Sequence, residues 1–350
     1  MAGTPWRRPV VLAVAAAILV VAGFAVALIY PGTPGAARSL KFQGYVVLPK
    51  GGALNILDYM TISGGDLFVT SVSSGDVYKI ALSGSAAVIA VLPGPPAAHG
   101  VAVDPVSRMA YVTRSEANVV DVFDPATMRR VKRIPVADDA DGIFYDPANR
   151  LIYADSGDAK VATLIDPATQ TAVATIALGG APEFAAFDPE TKLFYQNLKD
   201  ANSVAAVDLA KRSVIQRWAL DQCRGPSGMA IDAARRRLFV VCAANARLVI
   251  FNLDTHRVTS WLPIGGGPDS VGYDAGLHRI YTTGRSGVLS VVQQDSPDSY
   301  RQLDQINLHF GAHTLAVDPA THKLYVAYAS LLLPARVAVF APVNSRAPSS

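Results

Sequence analysis

Seven positions that could bind a cation recur along the chain at nearly equal spacing. Consecutive members are 41 to 44 residues apart, and six of the seven are ionisable, although Asp, Glu, Lys and Arg make up only 17% of the chain. The positions are Asp58, His99, Asp141, Glu183, Ser227, Asp269 and His313. Imidazole and carboxylate together suit Zn, Mn, Fe or Ni, whereas carboxylates with water suit Ca. Brought together, these side chains would form a ligand- or metal-binding ring.

Four carboxylates in a narrow space repel one another, so some must take up protons, bind a cation or be separated by water. Two interpretations stay open: a site for a metal ion or small cationic ligand, and a hydrated polar rim. If the repeat units close into a ring, the last unit lies beside the first, and His313, Asp58 and His99 then stand on three consecutive units and could bind one metal ion. Ser227 lies in a Pro-Ser-Gly sequence and no Gly-x-Ser-x-Gly motif occurs, so we expect a turn residue there and not a nucleophile.

The elements that would position this ring are visible in a repeated phrase. The phrase is apolar-x-apolar-Asp, followed by a turn and by an aromatic residue seven positions after the Asp. Each candidate ligand stands five positions before the same Asp. The phrase is anchored by Asp104, Asp146, Asp188, Asp232, Asp274 and Asp318, with Ser63 in the first unit. Each unit predicts four short strands, and units of about 40–45 residues are typical of β-propeller blades. Beyond residue 39 the chain is therefore predicted to be all-β.

The two ends of the predicted ring complement each other. The seventh unit lacks its fourth strand, whereas residues 42–48 (FQGYVVL) form a strand ahead of the first unit. We predict that this strand completes blade seven and removes an open sheet edge. Residues 331–335 (LLLPA) lengthen a loop of blade seven beside His313, and either pack on their own blade or form a lid or partner contact.

The repeated phrases resemble the YVTN-repeat family of seven-bladed β-propellers, and within it the exported, single-propeller members. The similarity covers residues 54–341, including GGAPEFAAFDPETK and CRGPSGMAIDAARRRLF. It implies an all-β fold of seven four-stranded antiparallel blades. It implies no particular chemistry, because one fold serves many functions.

The first thirty residues predict a membrane segment. Residues 9–30 carry no charge, are long enough to span a bilayer as a helix, and follow Arg7 and Arg8, which favour a cytoplasmic N-terminus. A cleaved signal peptide that yields a secreted protein is the alternative. The expected organisation is a cytoplasmic N-terminus at 1–8, a transmembrane anchor at 9–30, a linker at 31–39, the propeller at 40–342 and a tail at 343–350. The propeller would then be extracytoplasmic, in a periplasm or at a cell surface.

The two cysteines of the sequence are placed so that they could pair. Cys223 and Cys242 lie nine residues before and ten residues after Asp232, so neighbouring antiparallel strands would bring them to one end of a blade. We expect a disulfide in an exported protein, with two buried thiols as the alternative.

The formal net charge is only +3, and it is nearly zero without Arg7 and Arg8, which argues against a nucleic-acid partner.

These observations favour a membrane-tethered, monomeric propeller that binds a ligand, a divalent cation or a protein partner at its channel mouth. A metal-dependent, lactonase-like hydrolase is the alternative, with Glu183 or Asp141 as general base. A protein-interaction scaffold without a small-molecule site is the second alternative.

Overall fold

Residues 33–49, 54–309 and 311–343 are described by a computed structural model, and they form seven antiparallel sheets of four strands each. The innermost strands of successive sheets contact one another in cyclic order, and the seventh contacts the first. The sheets are therefore the blades of a closed seven-bladed propeller, as the repeat predicts.

Each blade has one strand at each of four distances from the central channel. The innermost strands are Leu57–Ser63, Ala98–Val103, Ala140–Asp146, Pro182–Asp188, Pro226–Asp232, Pro268–Asp274 and Thr314–Val317. The second strands are Asp66–Ser71, Ala110–Arg114, Leu151–Ser156, Leu193–Leu198, Arg237–Cys242, Arg279–Gly284 and Leu324–Tyr328. The third strands are Val77–Ala81, Val119–Asp124, Val161–Asp166, Ser203–Asp208, Arg247–Asn252, Val288–Ser296 and Arg336–Pro342. The outer strands are Ala87–Leu92, Arg129–Pro135, Thr171–Ala177, Ser213–Ala219, Arg257–Pro263, Ser299–Asn307 and, for blade seven, Leu40–Val47.

The anchor acids hold the turns between the innermost and second strands. In blade two, for example, the carboxylate of Asp104 accepts hydrogen bonds from the backbone N–H groups of Val106 and Ser107, at 3.0 and 3.1 Å. The aromatic residues seven positions later are buried between the sheets. Because strands alternate in direction, these turns lie on one face of the ring, and the residues five positions before each anchor lie at the opposite face, the channel mouth.

The strand predicted to close the ring does so. Leu40–Val47 pairs antiparallel with Arg336–Pro342, and the ring of Phe42 packs against Phe340 at 5.5 Å between centroids. The strand begins two residues earlier than predicted and ends one residue earlier. The N-terminal strand therefore completes the seventh sheet and covers its edge.

The lengthened loop of blade seven makes a second link between the two ends of the propeller. Ser330–Leu331 pairs antiparallel with Leu54–Asn55, which leads into blade one, and Nδ2 of Asn55 donates to the carbonyl of Leu333 at 3.0 Å. The insertion therefore pairs with the segment that leads into blade one, which differs from the predicted packing on its own blade.

The predicted membrane anchor at 9–30 lies outside the described residues. Among those that are described, no helix has the length and apolar character needed to cross a membrane.

Candidate ligand-binding site at the channel mouth

The seven candidate residues line a single cavity of about 360 Å³ at the mouth of the channel. Each of the first six stands at or next to the start of an innermost strand, and His313 directly precedes the last of these strands. The periodicity of the sequence therefore places them together, one from each blade.

A second ring of residues, which the sequence reasoning missed, adds two cations to the cavity. Its members directly follow the second strands. The backbone N–H of each member donates to the carbonyl of the residue two positions before a member of the first ring. Lys199, for example, donates to Ala181 at 2.8 Å, and Arg285 donates to Gly267 at 2.9 Å. The seven positions are Val72, Ser115, Gly157, Lys199, Ala243, Arg285 and Ala329. Counting eleven residues forward from each anchor Asp, in the six units that have one, would have revealed Lys199 and Arg285.

On one side of the cavity the carboxylates have cations of their own. Lys199 donates to Oε1 of Glu183, and although burial raises the pKa of Glu183, this contact opposes the shift. Burial likewise raises the pKa of Asp269, while the charge of nearby His313 lowers it; Nε2 of His313 lies 4.0 Å from Oδ2 of Asp269. Cationic groups of the chain therefore oppose the effect of burial on this side of the ring, although the pKa of each carboxyl group stays raised.

On the other side, three side chains from blades one, two and three converge on one atom. Nδ1 of His99 lies 2.6 Å from Oδ2 of Asp58 and 3.2 Å from Oδ1 of Asp141. The ligand atoms of these three residues all lie within 4.8 Å of one another, a separation at which they could hold a metal ion. The trio differs from the expected His313, Asp58 and His99, because Nδ1 of His313 contacts the carbonyl of Gly311 instead, at 2.9 Å.

The second nitrogen of His99 is held by the second ring. Nε2 lies 2.9 Å from Oγ of Ser115, which fixes the plane of the imidazole and points Nδ1 at the two carboxylates. Histidines that bind metals commonly have their other nitrogen hydrogen-bonded in this way. Thr113 adds support from below, since its Oγ1 donates to the carbonyl of Asp141 at 2.6 Å.

Two members of the cluster, the imidazole of His99 and the carboxyl group of Asp141, retain protons at neutral pH. Burial disfavours the charged form of His99, but the hydrogen bond and charge of Asp58, with the charge of Asp141, outweigh it and raise the pKa of His99 to about 9. Burial and the charge of Asp58 raise the pKa of Asp141 to about 8. Without a metal ion, the repulsion predicted for the ring is thus relieved by protonation.

A further buried carboxyl group, also missed by the sequence reasoning, lies behind Asp141. Asp155 is fully buried on the second strand of blade three, where its Oδ1 accepts from the N–H of Gly142 at 2.8 Å and its Oδ2 has no hydrogen-bond partner among the described residues. Burial and then the charge of Asp141 raise the pKa of Asp155 well above its ordinary value. A neutral acid here limits the negative charge behind the cluster.

The hydroxyl group of Ser227 forms a hydrogen bond with the backbone of the next blade. Ser227 is 2% exposed, and its Oγ donates to the carbonyl of Pro268 at 3.0 Å, joining blades five and six. Nearby, Cys223 and Cys242 are joined by a disulfide, with 5.3 Å between their Cα atoms. Both features stabilise the scaffold around this part of the mouth.

An aromatic pair forms the floor of the cavity. Tyr59 and Phe184 stack at 5.6 Å between centroids, and Phe144 packs edge-on against Phe184 at 5.0 Å. Beneath this pair lies a second, apolar cavity of about 300 Å³. The channel is therefore divided into a polar mouth chamber and an apolar chamber.

Comparison with known proteins supports the fold. No model of a protein family and no curated protein sequence matches the chain, so membership of the YVTN-repeat family stays a prediction. Among solved structures, the chain is similar to a chain of hydrazine synthase from Kuenenia stuttgartiensis, with a TM-score of 0.68 and 18% sequence identity over 77% of this chain and 92% of that one. At this identity the likeness shows the seven-bladed propeller fold alone.

Proposed function

We propose that this protein is an extracytoplasmic β-propeller that binds a divalent transition-metal ion at its channel mouth, through Nδ1 of His99 and the carboxylates of Asp58 and Asp141. The observation that carries the proposal is the convergence of these three side chains, from three consecutive blades, on one point. One imidazole and two carboxylates suit Zn or Mn better than Ca, which prefers six to eight oxygen ligands.

The protons on the cluster support this assignment. A metal ion needs a neutral imidazole and ionised carboxylates, so it would replace the protons of His99 and Asp141 and relieve the same repulsion with a divalent charge. Two ligand atoms of one tetrahedral ion lie about 3.3 Å apart, so the 3.2 Å separation from Asp141 already suits a shared ion. The 2.6 Å separation from Asp58 would have to widen by about 0.7 Å, which a rotation of the Asp58 side chain can supply.

Three protein ligands leave at least one coordination position for a water molecule or a small ligand. The cavity of about 360 Å³ offers room for such a ligand, and Lys199 and Arg285 line it. Because Lys199 is already paired with Glu183, the site favours a small ligand that reaches the metal with one end and places an anionic group near Arg285 with the other.

The hydrolase alternative receives less support from the geometry. Of the two candidate bases, Glu183 is engaged by Lys199 and Asp141 belongs to the metal cluster. The propeller is best interpreted as a binding protein, and the scaffold alternative remains for a chain that binds no metal.

The course of the chain suggests how a tethered propeller would be oriented. The N-terminal strand enters at Leu40, which pairs with Pro342 on the face opposite the channel mouth. If residues 9–30 anchor the protein in a membrane, the mouth faces away from that membrane and is open to diffusing ligands.

Calorimetric titration with Zn²⁺ and Mn²⁺ after treatment with a chelator tests the proposal. We expect one ion per chain, and binding weakened by about tenfold or more in Asp58→Asn and His99→Ala. Asp269→Asn and His313→Ala are matched controls, because they line the same cavity outside the cluster and should change the affinity little. A parent that binds neither ion, or equal losses in both pairs of variants, would contradict the proposal.

A further inference from the structure

On the face opposite the channel mouth, beside the entry of the N-terminal strand, three arginines line a cavity of about 390 Å³. We propose that Arg38, Arg279 and Arg301 form a binding site for a phosphate group. This site is separate from the metal cluster and does not depend on it.

Arg279 forms the floor of the cavity and carries a buried charge without a carboxylate. It is 6% exposed, and its contacts are with neutral acceptors: Nε with Oε1 of Gln293 at 3.4 Å, and Nη1 with the carbonyl of Ser39 at 3.3 Å. No Asp or Glu among the described residues forms an ion pair with it. A buried guanidinium ordinarily has an anionic partner, because its desolvation is costly.

Blade five has an arginine at the same position, and there it has a carboxylate partner. Arg237 stands five residues after Asp232, as Arg279 does after Asp274, and it is also 6% exposed. Its Nη2 contacts both carboxylate oxygens of Asp298, at 2.9 and 3.0 Å. At equal burial, Arg237 has a bidentate partner and Arg279 has none.

The closure of the ring explains the difference. Asp298 lies in the turn between the third and outer strands of blade six, the blade next to Arg237. In blade seven this turn does not exist, because the third strand ends at Pro342 and the outer strand begins at Leu40. The segments that flank this gap offer no substitute, since residues 1–57 and 319–350 contain no Asp or Glu.

The other two arginines extend the positive charge to the surface. Arg301 is 59% exposed and contacts Asp295 through Nε, and the side chain of Arg38 is exposed. The carboxylate of Asp304 accepts hydrogen bonds from the N–H groups of Arg38 and Ser39 and interacts with the charge of Arg38, but it is not part of the cavity lining. Guanidinium groups form charge-assisted, often bidentate hydrogen bonds to phosphate oxygens, so two exposed arginines beside a buried one suit a tetrahedral oxyanion.

A phosphate group could come from two sources. One is a free phosphate or phosphomonoester, and the other is the phosphodiester headgroup of an anionic lipid. The cavity adjoins Ser39, where the predicted linker from the membrane anchor meets the propeller, so a tethered molecule would hold it close to a lipid surface.

The test is calorimetric titration of the full-length protein in neutral detergent, at constant ionic strength, with inorganic phosphate, glycerophosphoglycerol and glycerophosphocholine. In the parent we expect the anionic probes to bind, and Arg38→Gln combined with Arg301→Gln to weaken that binding by about tenfold or more. These two residues are exposed, so the variant should fold. Arg279→Lys, which keeps the charge and loses the planar fork, should also weaken binding.

Arg129→Gln combined with Arg257→Gln is the matched control, since it removes the same charge from exposed outer strands. It should leave the affinity within about twofold, as expected for screened distant charges. Tighter binding of glycerophosphoglycerol than of phosphate would support the lipid source, and the reverse order the free source. Absence of binding by both anionic probes, or an equal loss in the control, would overturn the proposal.

Discussion

Nδ1 of His99 lies 2.6 Å from Oδ2 of Asp58, which makes the contact between blades one and two at the channel mouth a charge-assisted hydrogen bond. In the metal-bound protein, the same nitrogen would bind the metal ion instead of a proton. Two states of the site follow, one protonated and one metal-bound, and they respond in opposite ways to pH.

The protonated state predicts a strongly basic histidine. Replacing Asp58 by Asn removes the first partner that favours the imidazolium, so the pKa of His99 should fall from about 9 toward 6.5. Titration of the His99 ring by NMR, with metal removed, measures this directly. Asp269→Asn should leave the pKa of His99 unchanged, and a parent His99 that titrates near 6.5 would show that the contact with Asp58 is weak.

The metal-free protein should lose stability as the pH rises from about 5 to about 9. The pKa of His99 is raised on folding, so its stabilising contribution is complete below 6.5 and is lost as the pH passes through about 9. The pKa of Asp141 is raised from 3.8 in the unfolded chain to about 8 in the folded protein. Between these pH values the unfolded chain loses this proton and the folded protein keeps it, so the free energy of unfolding falls as the pH rises. Each proton involved changes the free energy of unfolding by about 1.4 kcal/mol per pH unit.

Urea unfolding at several pH values in the presence of a chelator measures this slope. Asp141→Asn should flatten the curve between about pH 4 and 8, because the amide does not titrate. Saturating Zn²⁺ should reverse the trend, since the metal needs deprotonated ligands. A metal-free stability that increases from pH 6 to 9 would refute this assignment of protons.

The closing strand predicts a position-specific loss of stability. Phe42 packs against Tyr45 and Phe340, so Phe42→Ala should lower the free energy of unfolding by about 2 kcal/mol. Val47→Ala on the same strand is the control, because Val47 is 54% exposed and should cost less than about 0.5 kcal/mol. Equal effects of the two substitutions would mean that the strand contributes little to the core.

The disulfide predicts a dependence on reducing agents. Replacing both Cys223 and Cys242 by Ala should lower the free energy of unfolding by about 3 kcal/mol, the value expected for closing a loop of this length. The parent should lose a comparable amount when a reductant is added during unfolding. Because these are the only two cysteines of the sequence, the double variant should be insensitive to reductant, and sensitivity there would point to another cause.

Much of the mouth was predictable because each blade repeats one pattern. The anchor Asp fixes the turn, so the residue five positions earlier must reach the mouth, and this rule brought all seven candidates to one cavity. The missing fourth strand of the seventh unit placed residues 42–48 in blade seven, where the structure has the strand Leu40–Val47, because a sheet with a missing strand leaves an unpaired edge.

The contacts within the mouth were not predictable from one position per blade. Lys199 and Arg285 come from a second position in the repeat; Lys199 pairs with Glu183, and the charge of Arg285 partly opposes the raised pKa of Asp269. The choice between His313 and Asp141 as third member of the cluster depends on side-chain direction, which a shared spacing does not determine.

The position of a bound ion is the most direct test of a metal site at His99. Crystals of the protein grown with Zn²⁺ or Mn²⁺ should show an anomalous scattering peak within about 2.3 Å of Nδ1 of His99, between the carboxylates of Asp58 and Asp141. A mouth without an anomalous peak, or a peak bound only by other residues, would contradict a metal site formed by His99, Asp58 and Asp141.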